Sequence, residues 1–349
     1  VSVGRVADYG PQQAEIWAPG LFSQAENLTF FQGMEGEPGS SMPIIRRDEF
    51  GKQAGDTIRF DIVLALTGAG LTGDSSGSLL EGNEEALKFR QTTITVDSLQ
   101  HAVRWTKLVD KTITHDMRKT AKNQLAKWLA GKLDNQIFTE LSGGGTTMPT
   151  LNKWFSGSAT SRNTIADGDA TGRLTLDTLT EAKAYAQVEL KIEPIKMDDD
   201  GNEYFVLVAH PYAIMELKRD DDKWAQAQRE AQVRGDSNPL FTGAAGIWDG
   251  VIIKSSNRVP RSNNTNSPVV AVADNLFLGA QALSRGYGSY PDWTEELFSY
   301  GQEAGIATWT LVGNKLNVFD LTSGGSAAAA DLTAIGSMVL YSAAVAPTA

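Results

Sequence analysis

Hydrophobic and polar residues alternate most cleanly between Ile58 and Leu66. There Ile58, Phe60, Ile62, Leu64 and Leu66 interleave with Arg59, Asp61, Val63 and Ala65. A period of two over this stretch predicts a strand. A return strand is expected at residues 87–96, rich in Thr and Ile. Its parity slips between Phe89 and Ile94, which predicts a bulge near Thr92 or Thr93. About twenty residues of Gly, Ser, Thr and Asp lie between the two, so the pair reads as a long hairpin with a large tip. A lone two-stranded hairpin is marginal in water, so this one is expected to lie on another surface.

The period then changes to four. Val109, Ile113, Met117, Ala121, Leu125, Leu129, Leu133, Ile137 and Leu141 are all apolar. Against a 3.6-residue turn this stripe drifts about 40° per step, which predicts one long helix that meets different neighbours along its length. Thr112 or Thr114 would cap its start, and the Gly143-Gly144-Gly145 run would end it.

Elsewhere the pattern is more broken. Residues 1–45 read as an irregular arm with apolar anchors at Ile16, Trp17, Leu21, Phe22, Phe30 and Phe31, lying on its own subunit or a neighbour. Residues 142–172 read as a long polar loop. Helices are expected at 175–188, 211–219 and 224–234. Strands are expected at 204–209, 251–254, 269–273, 307–311, 316–321 and 337–341.

Composition narrows the chemistry. The 349 residues are 41% hydrophobic, enough for a sizeable core, and lack cysteine, which excludes disulfides, thiol catalysis and Cys-ligated metal centres. No apolar run approaches the ~20 residues of a membrane helix, and the amino terminus does not read as a secretory signal, so a soluble protein without a membrane partner is expected. The net charge of −11 is uneven: residues 101–141 carry +4 while the flanking portions carry −7 and −8. Were the chain already helical at Val103, then Arg104, Lys107, Lys111, His115, Arg118 and Lys122 would share one face. Were residues 99–110 a strand, only His115, Arg118 and Lys122 would stay aligned. Such a face is either solvated and paired with acids, or turned toward a polyanion.

Catalytic patterns are weak. Gly68-Ala69-Gly70-Leu71-Thr72-Gly73 has the spacing of a dinucleotide fingerprint, and Gly73-Asp74-Ser75-Ser76-Gly77 that of a nucleophile elbow. Both chemistries need a helix to begin at the motif, whereas a second strand is expected here. Asp198 to Glu203 opens like a calcium loop but lacks its spacing and distal Glu, and reads as a charged turn; the three histidines have no metal-binding spacing. No catalytic residue, cofactor site or metal site is assigned.

The order of arm, hairpin, long helix, α/β portion and closing strands resembles the major capsid proteins of tailed phages with the Hong Kong 97-type fold. The resemblance rests on Leu80-Glu81-Gly82-Asn83-Glu84-Glu85, Arg118 to Trp128, Asp274 to Leu283, Trp293-Thr294-Glu295-Glu296, Tyr300 to Thr308, and the alanine-rich end after Met338. It spans about Phe30 to Ala344. It implies an α+β fold with an N-terminal arm (1–45), an extended loop (46–98), a peripheral domain with a spine helix (99–172), an axial domain (173–310) and C-terminal strands completing the peripheral domain (311–349). It further implies a non-enzymatic protein that assembles as hexamers and pentamers into an icosahedral shell around double-stranded DNA. Portal, scaffold and decoration or cement proteins would be partners. The protein would reside in the virion, and in host cytoplasm during assembly. Trp17, Phe22, Phe30, Phe31, Ile58, Phe60, Ile62, Leu64, Leu66 and Phe89 are then the expected assembly residues, and Lys111, Arg118 and Lys122 an inward-facing basic set that touches DNA without sequence preference. The alternatives are a hydrolase or nucleotide-cofactor enzyme using Gly68 to Gly77, or another structural virion protein such as a tail protein.

Overall fold

The computed structural model describes residues 29–47, 57–63, 84, 86–87, 89–113, 116–166, 172–197, 203–219, 224, 246–265, 269–320 and 332–347. For Ile58, Phe60, Asp61, Ile62, Val63, Arg90, Lys196, Met197 and Asp320 it describes the backbone alone.

The first strands are β1 (Glu35–Gly36) and β2 (Ile44–Arg47), followed by the hairpin β3 (Thr57–Val63) and β4 (Phe89–Thr95) and then β5 (Asp97–Thr106). Two helices come next, α1 (Lys107–Thr112) and α2 (Met117–Leu141). The middle of the chain supplies β6 (Lys153–Phe155), α3 (Leu176–Val188), β7 (Lys196–Met197), β8 (Glu203–Ala209), α4 (Pro211–Arg219), β9 (Gly246–Trp248), β10 (Val251–Ser255), β11 (Arg261–Asn263) and β12 (Ala271–Leu278). Then come β13 (Leu283–Phe298), β14 (Glu303–Leu316), β15 (Val318–Asp320), β16 (Leu332–Ala334) and β17 (Ser337–Ala343).

Two larger sheets organise these strands. One runs β1-β2-β13-β14-β5; the other runs β6-β17-β12-β8-β10-β9, with β11 on β12 and β7 on β8. Helix α2 serves both. Its residues Leu125, Leu129 and Leu133 pack with Tyr287, Trp293, Ile306 and Val312 of the first sheet. Ile137, Phe138 and Leu141 pack with Val208, Leu276 and Val339 of the second. The drifting stripe is thus explained: one helix, at about 1.5 Å per residue, is long enough to bury successive turns against two layers. On the far side of the second sheet Leu179 and Ala182 of α3 and Leu217 of α4 cover Phe205, Leu207 and Phe277. Strand β8 therefore buries side chains on both faces, as its continuous apolar run requires.

Several expectations change. Helix α2 starts at Met117, not at Thr112 or Thr114: Ile113 is extended, and the Asp116 carboxylate accepts from the Lys119 N–H. Residues 97–106 are strand, so the face shared by all six basic-type residues does not form, and Lys111 sits on the separate short α1. The hairpin has no bulge in its paired region; Thr57 to Val63 pair with Phe89 to Thr95 without a register shift. Phe89 and Ile94 differ in parity because they occupy opposite faces, Phe89 exposed and Ile94 buried against Phe319. The 142–172 segment is stitched down: β6 pairs with β17, and buried Asn152 donates to the Ala334 and Ser337 carbonyls while accepting from the Ala334 N–H. Sheet membership also cuts across the boundary at 310, since β13 and β14 lie wholly in the first sheet and β17 in the second. Most of residues 224–234, where a helix is expected, residues 68–77 and residues 198–202 lie outside the described residues.

Candidate functional site

The expected assembly residues fall into three groups. Trp17, Phe22, Leu64 and Leu66 lie outside the described residues, as do the side chains of Ile58, Phe60 and Ile62. Phe89 is exposed on the hairpin, next to an equally open Leu87. Phe31 differs from expectation, while Phe30 stays half-buried beside it. Phe31 is 0% exposed inside its own subunit and meets the Phe138 ring at 4.9 Å, with Phe30 edge-on at 5.1 Å. Phe31 is therefore core and has no surface to offer a neighbour, because an aromatic ring gains most where the interior is driest.

This end of the arm is fixed by a residue the sequence reading passed over. Asp134 of α2 is buried; its two carboxylate oxygens accept from the Phe30 N–H at 3.1 and 3.0 Å, and it pairs with Arg258. Arg285, also buried, binds Glu35 of β1 at 2.5 Å and adds its charge to the surroundings of Asp134. Arm, helix and both sheets thus meet at one charged cluster. The available signal was a second stripe, Ala126-Ala130-Asp134-Phe138, in which one acid interrupts small and aromatic residues.

Burial raises the Asp134 carboxyl above the ordinary 3.8, against the pull of the Phe30 N–H, Arg258 and Arg285. Asp274 of β12 behaves alike: burial raises it and Arg162, bonded to it at 3.0 Å, opposes. Burial and the nearby Asp274 push Tyr341 up to about 12. A carboxyl whose folded pKa exceeds its unfolded one holds extra protons in the native state. Its contribution is full below the unfolded value and is lost as pH rises through the folded value. The thermal midpoint of the wild type minus that of Asp274→Asn should therefore fall as pH is raised from about 4 toward neutrality. A difference that stays flat would exclude this role for Asp274.

The basic set is dispersed. Lys111 is exposed on α1. Arg118 is bound at 2.7 Å to Glu295 of β13, which also accepts from the Trp293 indole N–H at 2.8 Å. Lys122 is half-buried and engaged. The Arg118 guanidinium thus braces the first turn of α2 to the sheet, and its charge is not free for a polyanion. Among the described residues no group of three or more His, Asp or Glu side chains could hold a metal ion. His101 stacks near Trp128 at 4.5 Å, and His210, lowered by burial and by Arg261, accepts from the Tyr212 N–H. No helix of the described residues is long and apolar enough to cross a membrane.

The chain as a whole is similar to known proteins. A protein-family model described as phage capsid protein matches residues 5–346. The major capsid protein of Pseudomonas phage KPP25 is 29% identical over 342 residues, covering 86% of this chain and 88% of that one. The capsid of Ralstonia phage GP4 superposes with a TM-score of 0.79 at 24% identity, covering 92% of both chains. A capsid chain of cyanophage Pam1 gives 0.73 at 20% identity, covering 90% of this chain and 92% of that one. These superpositions identify the architecture as the Hong Kong 97-type fold.

Proposed function

We propose, for a chain that belongs to the phage capsid protein family and forms the virion shell as its major capsid protein, that assembly proceeds through hexamers and pentamers around double-stranded DNA. The protein is structural, not enzymatic, and multimeric. In this reading the β3–β4 hairpin is the extended loop (46–98) and lies over a neighbouring subunit. The arm (1–45) is anchored to its own subunit at Phe30 and Phe31. The peripheral body is the five-stranded sheet on α2, and the axial body is the eight-stranded sheet beneath α3 and α4.

One observation carries the hairpin assignment. Among the described residues β3 and β4 pair only with each other, and Leu87 and Phe89 stand 60% and 56% exposed. A two-stranded ribbon gains independent stability only against a further surface; the base of β4 has one in its own subunit, where Ile94 meets Phe319, whereas Leu87 and Phe89 remain open. Contact with packaged DNA is non-specific on this reading. It rests on the +4 of residues 101–141, and chiefly on Lys111 and its lysine neighbours once Arg118 is paired with Glu295. Portal, scaffold and decoration or cement proteins complete the proposed partners, and host cytoplasm is the proposed place of assembly.

Phe60→Asp is the test. The variant should keep wild-type circular dichroism and solubility yet yield no closed particles by negative-stain electron microscopy. Normal shells from Phe60→Asp would overturn the hairpin assignment, and rings or tubes from the wild type would favour a tail protein.

A further inference from the structure

The closed end of the β13–β14 hairpin is built at a conformational cost that the fold itself does not explain. Ser299, Tyr300 and Gly301 have φ of 53°, 55° and 80° in succession. Hairpin turns that need positive φ ordinarily place Gly, Asn or Asp there, because a Cβ is crowded in the left-handed region. Here the central residue is a tyrosine, and it is fully exposed, the most open large hydrophobic residue among the described ones. Among the described residues no contact of the Tyr300 ring rewards this placement.

The surroundings of Tyr300 are those of an interface centre. Leu297 precedes it on β13, and the Lys107 N–H donates to the Gln302 carbonyl at 2.7 Å, which fastens the start of α1 beside the turn. Leu108, 73% exposed, follows directly. Beneath them the Arg104 guanidinium lies 4.3 Å from the Phe298 ring centroid and pairs with Glu303, which stiffens the end. Around this apolar group the exposed charges are mixed: Lys107 and Lys111 against Asp110 and Glu296. A patch with both signs can meet its own copy without like-charge repulsion, whereas a patch for an acidic or basic partner would carry one sign.

We infer that Tyr300, with Leu108 and Leu297, is an anchor by which this end of the sheet binds a second copy of the chain. The inference rests on the shell-forming reading and specifies one of its contacts. Aromatic anchors at the centre of an interface, ringed by polar residues, carry a disproportionate share of affinity. The strained turn then has a reason: it presents the ring ahead of binding, so little freedom is lost on contact.

Tyr300→Gly separates the two roles of the residue. Glycine accepts φ near 55° without strain, so the variant subunit should unfold at the wild-type temperature or above it. At the same time the protein concentration at which shells appear in light scattering should rise about tenfold or more. Tyr300→Phe, which keeps the ring, should restore most of that loss. Tyr300→Gly assembling at the wild-type concentration would overturn the inference, as would a loss of assembly accompanied by a lower unfolding temperature. Phe60→Asp run in parallel distinguishes the failures. If it abolishes shells while Tyr300→Gly does not, the shell reading stands and the anchor falls. If the wild type forms no closed particle, both fall.

Discussion

Asp134→Ala is expected to destabilise the subunit by about 3–5 kcal/mol, the cost of breaking a buried pair from one side. Three losses combine. The Phe30 N–H loses both of its acceptors, Arg258 loses its counter-ion, and Arg285 keeps only Glu35 of its two acidic neighbours. Asp134→Asn retains an oxygen for the arm but no charge, so it should fall between the wild type and alanine. Denaturant midpoints of the unassembled subunit measure both. A cost below about 1 kcal/mol for alanine would mean that the cluster is solvated in solution and that the arm is held by its aromatics alone.

The second large effect is at Phe31. Its ring is fully buried, and Phe31→Ala should cost about 3–5 kcal/mol because the cavity lies between two rigid elements, α2 and the second sheet, that cannot close around it. This contrasts with Phe60→Asp, which is expected to spare the subunit and stop the shell. Equal stability of Phe31→Ala and wild type by denaturant titration would contradict the core assignment. The pair of variants separates residues that make the building block from residues that join blocks, a distinction that aromatic character in the sequence does not draw.

Regular periodicity made part of the architecture legible. The four-residue stripe identified α2 and its shared duty, because a drift in the apolar face has few other physical meanings. The hairpin and the doubly buried β8 were equally plain. Strand β13 escaped because register shifts between Tyr287 and Ser289 and between Ser289 and Asp292 break the alternation, and Gly286, Gly288 and Pro291 read as turn residues; of its partner β14 only residues 307–311 were legible. The small residues have a packing reason: a Cβ at Gly313 would lie 2.3 Å from the Thr95 carbonyl oxygen, so the strand crossing tolerates no side chain there. The site was harder to read than the fold. Phe31 looks like an interface aromatic until its burial is known. Arg118 looks like a free cation until β13 brings Glu295 to it from 177 positions away. Asp134 is an acid in a helix like any other until the arm returns to it. Each depends on a long-range contact that no local pattern encodes.

The shared helix has one more consequence. A hinge between two sheets would let each open by itself, and amide protons in one could exchange with solvent while the other stayed closed. Here one continuous helix carries Ala121 to Leu133 into one layer and Ile137 to Leu141 into the other, so opening either layer strips part of the same hydrogen-bonded helix. The subunit is coupled along its length into a single cooperative unit.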